Sequence, residues 1–121
     1  MRYMLLIYSN PENWEALPPE DQQKLTNDYF AFSQSIAETG EMIAGDPLQG
    51  VDTATTVRVR NGKGVTTDGP FVETREHLGG YYLVDCLNLD RAIELAARIP
   101  DAALGAIEVR PLREFPSDMP R

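Results

Sequence analysis

The side chains best suited to acid–base work gather between positions 68 and 77: Asp68, Glu73, Arg75, Glu76 and His77. Asp68 stands before Gly69-Pro70, where an aspartate commonly accepts backbone N–H groups of its own turn. The alternative is a carboxylate held at a sheet end and aimed into a cleft, where burial raises its pKa towards that of a working base. Glu73 and Arg75 share a side if their segment is extended, Glu73 and Glu76 if it is helical. Such a group is either a solvated ion-pair cluster, worth little energetically, or an anchor. In an anchor, Arg75 grips a carboxylate or phosphate bidentately while an acid handles a proton. His77 is either a surface histidine or a proton carrier, being the one residue here that titrates near neutrality without help. Arg58 and Tyr81 are the candidates for ligand binding. Arg58 shares a strand face with Arg60, and it either lines a pocket or pairs with an acid such as Glu108 across the sheet. Tyr81, like Tyr3, Tyr8 and Tyr82, falls on an apolar strand, where tyrosines serve cores and interfaces more often than catalysis.

Other chemistries lack their residues. No Gly-x-Gly-x-x-Gly precedes a helix, so Gly79-Gly80 is not a nucleotide motif; the pair permits a bulge or a close backbone approach. No Ser-His-Asp triad or nucleophile elbow is visible. One histidine among scattered carboxylates has no metal-ligand spacing, so neither a metal nor a cofactor is expected. Cys86 is the only cysteine, which rules out an internal disulfide, fits a reducing compartment and predicts an inert buried thiol. A net charge of −8 repels phosphate backbones and anionic membrane faces, arguing against nucleic-acid and membrane partners. The apolar start of the chain ends by Tyr8, too short for a membrane span. The expected location is the cytoplasm.

The elements that must position these residues follow from hydrophobic period and turn residues. Residues 2–8 are a nearly continuous apolar strand, and 9–19 a loop from which Trp14 and Leu17 fold back. Pro18-Pro19-Glu20-Asp21 opens a helix, with proline and acids suited to its first turn. Its stripe is Leu25, Tyr29, Phe32 and Ile36, and Gly40 ends it. Met42–Gly45 is a short strand closed by Asp46-Pro47. Residues 53–60 alternate as a two-faced strand, Asn61-Gly62 makes a tight hairpin turn, and Val65-Thr66-Thr67 returns. Residues 71–78 are irregular, and an apolar strand follows Gly79-Gly80, over 81–87. Asn88 caps a second helix whose expected buried face is Leu89, Ile93, Ala96 and Ala97, ended by Pro100. Residues 106–110 are the last strand. Residues 1–115 form one expected domain, with 116–121 a loose tail.

Counted without the short strand near Met42, this order approaches βαββαβ, so the predicted fold is α+β: a ferredoxin-like (split βαβ) antiparallel sheet with helices on one face. The apolar strands at 3–8 and 81–87 ask for cover on both faces. No third helix supplies it, so a homodimer with sheets packed face to face, a dimeric α/β barrel, is expected.

The stretch Thr67-Asp68-Gly69-Pro70-Phe71-Val72-Glu73-Thr74-Arg75-Glu76-His77-Leu78-Gly79-Gly80-Tyr81-Tyr82 resembles the signature of the DGPF branch of the YCII-related family. Residues 3–8, 54–58, 97–100 and 108–111 match it too, so the resemblance spans nearly the whole chain. It implies the same ferredoxin-like fold and dimeric barrel, without naming a reaction. YCII relatives are suspected enzymes because of a His–Asp pair. This sequence departs there, since His77 lies inside the signature and the first helix offers no histidine. Three functions remain open. One is a cofactor-free enzyme performing proton transfer, isomerisation or elimination on a small organic acid or aromatic in a dimer cleft. Another is a non-catalytic small-molecule binder or regulatory partner, since some related sequences accompany extracytoplasmic-function sigma factors. The last is an interaction module in which the signature fixes only a turn and the dimer.

Overall fold

The computed structural model describes residues 1–115, so the tail expected over 116–121 lies outside the described residues. Strand β1 (Arg2–Ser9) buries Tyr3, Leu5 and Ile7 on one face and leaves Met4, Leu6 and Tyr8 half-buried on the other. That alternation is the period-two signature of a strand with one face in the core. The expected loop after it contains a short helix, α1 (Pro11–Glu15). Asn10 caps it by accepting the Glu12 N–H at 3.0 Å, and Pro11 loses no hydrogen bond in its first turn. Helix α2 (Pro19–Glu38) runs as predicted, burying Phe32 and Ile36 and half-burying Leu25 and Tyr29.

Strand β2 (Met42–Pro47) leads to a hairpin, β3 (Thr55–Arg60) and β4 (Lys63–Asp68). Asn61 and Gly62 both adopt positive φ, 52° and 77°, as its tight turn requires. Strand β5 (His77–Asp85), helix α3 (Leu89–Arg98) and strand β6 (Ala106–Pro111) complete the order. Four strands form one antiparallel sheet in the order β2-β5-β1-β6, and β3-β4 stand as a separate two-stranded sheet. The βαββαβ order therefore emerges on setting aside the hairpin, and the Met42 strand is a full member of the sheet. Alternation had made the hairpin the stronger strand signal, but pairing with β5 decides membership.

Helices α2 and α3 lie against one face, where Tyr3, Leu5, Ile7, Tyr82 and Val84 meet Phe32, Ile36, Ala92, Leu95, Ala96 and Ile99. The buried face of α3 thus differs from the expected one: Leu89, Ile93 and Ala97 point away, and Leu95 is fully buried instead. Two apolar stripes share this helix, and the sheet takes the one headed by Ala92. Strand β5 starts at His77, two residues ahead of the glycine pair. Gly79 is the extra residue where the β1–β5 register shifts, and a Cβ on Gly80 would stand 3.1 Å from the Asp46 carbonyl oxygen. Bulge and close approach are both realised. Glu41 and Arg91 tie β2 to α3 through two hydrogen bonds of 2.9 Å, and the guanidinium holds the Glu41 carboxyl below its ordinary range. Among the described residues no helix is long and apolar enough to cross a membrane.

Candidate functional site

Helix α2, the edge strand β2 and the turn after it enclose a cleft of about 670 Å³. Its walls are largely apolar, from Trp14, Leu25, Phe30, Met42, Leu48 and Leu78. Helix α1 brings Trp14 there, held by Gln22 Nε2 donating to the Trp14 carbonyl at 2.9 Å. Four polar groupings enter this wall. Tyr29 on α2 donates to the Asp101 carboxylate in the 3-10 turn after α3. Burial, and then that bond, push the Tyr29 phenol far above its ordinary value, so it stays a donor. The Tyr82 hydroxyl lies 2.6 Å from Ser33 Oγ, and burial raises this phenol as well. Phe32 meets the Tyr82 ring edge-on, with centroids 5.2 Å apart, which fixes its orientation. Tyr81 donates to Asp46 at 2.8 Å, a bond that raises its pKa. By register Tyr81 and Asp46 share the sheet face opposite Tyr82, so the cleft reaches both faces at this edge. His77 is the fourth, at the start of β5.

A second, polar recess of about 530 Å³ adjoins, lined by Asn10, Glu12, Thr74, Arg75 and His77. His77 belongs to both walls. Among the described residues no group of three His, Cys, Asp or Glu side chains is arranged to hold a metal ion.

The chain matches the YCII-related domain over residues 1–116. It belongs to that family. An uncharacterized protein of Rhizobium meliloti (strain 1021) is 33% identical over 123 residues, with 99% of each chain covered. The fold is similar to that of 5-chloro-2-hydroxyhydroquinone dehydrochlorinase (TftG) from Burkholderia phenoliruptrix AC1100, solved in complex with 2,5-dihydroxybenzoquinone. That likeness has a TM-score of 0.57 at 12% identity and covers 95% of this chain and 96% of the other.

The structure of this YCII-related chain divides the residues singled out by sequence. His77 and Tyr81 line the cleft, and Arg75 and His77 line the recess. Asp68, Glu73 and Glu76 are exposed on or after the hairpin and line neither. The turn at Asp68 is held by its neighbours: the Gly69 N–H donates to the Ala54 carbonyl at 2.8 Å, and Thr56 Oγ1 donates to the Gly69 carbonyl at 2.8 Å. Gly69 has φ +103°, which a side chain would strain. Arg58 lies 4.7 Å above the Phe71 ring. The cross-sheet pair with Glu108 does not form, because the hairpin and β6 belong to different sheets. Cys86 is buried, and burial raises its thiol pKa.

Sequence reasoning missed Asp101, Asp46 and Ser33, and it treated Tyr29 and Tyr82 as packing residues. The available signal was faint: a phenol on an otherwise apolar helix stripe needs a polar partner when buried. Nothing local says that the partner sits 72 positions away.

Proposed function

We propose that this YCII-related protein is a cofactor-free enzyme that moves a proton on a small aromatic or organic acid, by isomerisation or elimination, inside the α2–β2 cleft. The observation that carries this is the pairing of phenols with carboxylates, Tyr29 with Asp101 and Tyr81 with Asp46, within an apolar wall. Asp101 receives the Tyr29 hydrogen bond on one oxygen, and among the described residues its other oxygen has no partner. It is the general base: in an isomerisation it takes a proton from the ligand and returns it at another carbon, and in an elimination it takes the proton while the leaving group on the neighbouring carbon departs with its bonding pair. The Tyr82–Ser33 hydroxyl pair donates to the oxygen on which charge collects as the proton leaves, the role of an oxyanion site. The fold likeness to a dehydrochlorinase of a hydroxylated ring supports the reaction class by analogy.

Solvent-deuterium incorporation tests this. Hydroxyquinols and small ring or chain acids are incubated with the protein in heavy water and followed by proton NMR. Exchange is expected for part of the panel, and Asp101→Asn is expected to slow it by about 10²-fold or more. A panel with no exchange, or an Asp101→Asn variant as fast as the parent, removes the enzyme reading.

Two finer assignments belong to the same proposal. The signature at Asp68-Gly69-Pro70-Phe71 supports placing the chain in the DGPF branch. The half-buried outer sheet face, with Met4, Leu6, Tyr8 and Leu83, supports a homodimer with a second copy as its cover, since self-complementary apolar faces close by twofold symmetry. The exposed row Leu87, Leu89 and Ile93 beside α3 favours a second reading. It is a non-catalytic ligand binder that docks a regulatory partner, of the kind linked to sigma factors, in which case ligands bind without exchange.

A further inference from the structure

Arg75 is an arginine with unspent donors in a concave site. Among the described residues its guanidinium makes no hydrogen bond and no ion pair, although Glu73 and Glu76 flank it in sequence. A solvated ion-pair cluster is therefore not what the loop builds. Two oxygens of the recess are committed, and the Glu12 carboxylate cannot receive an anion. The Asn10 side-chain oxygen accepts the Glu12 N–H at 3.0 Å, and the Thr74 hydroxyl donates to the Glu76 carbonyl. Arg75 and His77 are left to receive an anion, and His77 also lines the apolar cleft. A planar guanidinium with free N–H groups matches a carboxylate bidentately. Glu12 sets the charge limit, because one carboxylate in the recess opposes a doubly charged phosphate more than a singly charged acid.

We propose that Arg75 and His77 hold the carboxylate of the ligand whose apolar ring fills the α2–β2 cleft. The ligand class is thus an aryl or arylalkyl carboxylic acid with one anionic group. This rests on the reading of the cleft as the ligand site. Arg75 binds the carboxylate from the recess, while Asp101 stands in the cleft wall.

Trp14, the only tryptophan of the chain and part of the cleft wall, reports occupancy by its fluorescence. The parent protein, Arg75→Ala and Arg75→Lys are titrated with 3-phenylpropionate, 3-phenylpropan-1-ol and phenylphosphonate. The acid is expected to bind the parent about tenfold more tightly than the alcohol, as a charge-assisted hydrogen bond allows. Arg75→Ala should erase that advantage and leave alcohol binding unchanged, and Arg75→Lys should restore part of it. Equal binding of acid and alcohol by the parent overturns the proposal. So does an advantage that survives in Arg75→Ala, and phenylphosphonate binding more tightly than the acid overturns the choice of a carboxylate. If the parent binds acid and alcohol equally and Thr26→Phe, which fills the cleft, abolishes both, the cleft reading stands and the carboxylate site alone falls. A Trp14 signal silent to all three compounds overturns both.

Discussion

At the scale of single residues, the Tyr29–Asp101 bond joins two jobs. It fastens α2 to the turn after α3, and it holds a carboxylate in the cleft wall. Tyr29→Phe is expected to cost about 1–2 kcal/mol at pH 8, measured by urea unfolding. Tyr29, Tyr81 and Tyr82 all keep their protons above the ordinary phenol value of 10.0, Tyr29 and Tyr82 chiefly through burial and Tyr81 through its bond to Asp46. A raised folded-state pKa means the unfolded chain ionises first. Their contribution is therefore complete below about pH 10 and is lost as pH climbs towards the raised folded values. Urea unfolding at pH 8, 10 and 11 should show that fall, and it should be shallower in Tyr29→Phe. An alkaline slope unaltered by this substitution would show that Tyr29 is not among its causes. None of this was legible locally. The sequence put Tyr29 on the correct helix face, but the carboxylate that makes it chemically interesting arrives through the fold.

At the scale of elements, the boundaries of α2, the Asn88 cap and the Asn61-Gly62 turn were all readable, because each is set by interactions within a few residues. The face of α3 was not. Leu89, Ile93 and Ala97 follow helical spacing as well as Ala92, Leu95, Ala96 and Ile99 do, and only contact with β1 and β6 selects the second set. Leu95→Ala should therefore cost about 2–5 kcal/mol, the range for a buried leucine that leaves a cavity. Ile93→Ala, at a half-exposed position, should cost under about 1 kcal/mol. Urea midpoints of the two variants decide between the faces, and the reverse order would return the core to Ile93. The hairpin is the other element that sequence misplaced. Its alternation identifies strands, but alternation does not say which sheet they join. Val57 and Val59 remain exposed on it, and a two-stranded ribbon is marginal in water without a surface to pack against.

At the scale of the whole molecule, the sheet has one face under helices and one whose apolar side chains are only half-buried. If a second copy covers that face, the protein sediments as a dimer at micromolar concentration. Leu6→Glu, at the middle of β1 on the outer face, should yield a monomer whose far-UV circular dichroism is unchanged. A parent protein that sediments as a monomer would sink the dimer. The net charge of −8 adds mutual repulsion, so the association should strengthen as salt screens it.

The sequence by itself determined the element types, the α+β class and the kinship of the chain, since these rest on short-range periodicity, turn residues and the 67–82 stretch. It also brought Arg75, His77 and Tyr81 to notice, because charge and aromaticity can be read residue by residue. Only the tertiary structure decided that the Met42 strand joins the sheet and the hairpin does not, that α3 buries Leu95, and that the cleft lies beside α2 with Asp101 and Asp46 in its wall. These depend on contacts between residues far apart in the chain, where packing area and hydrogen-bond satisfaction choose among arrangements that local sequence leaves equally open.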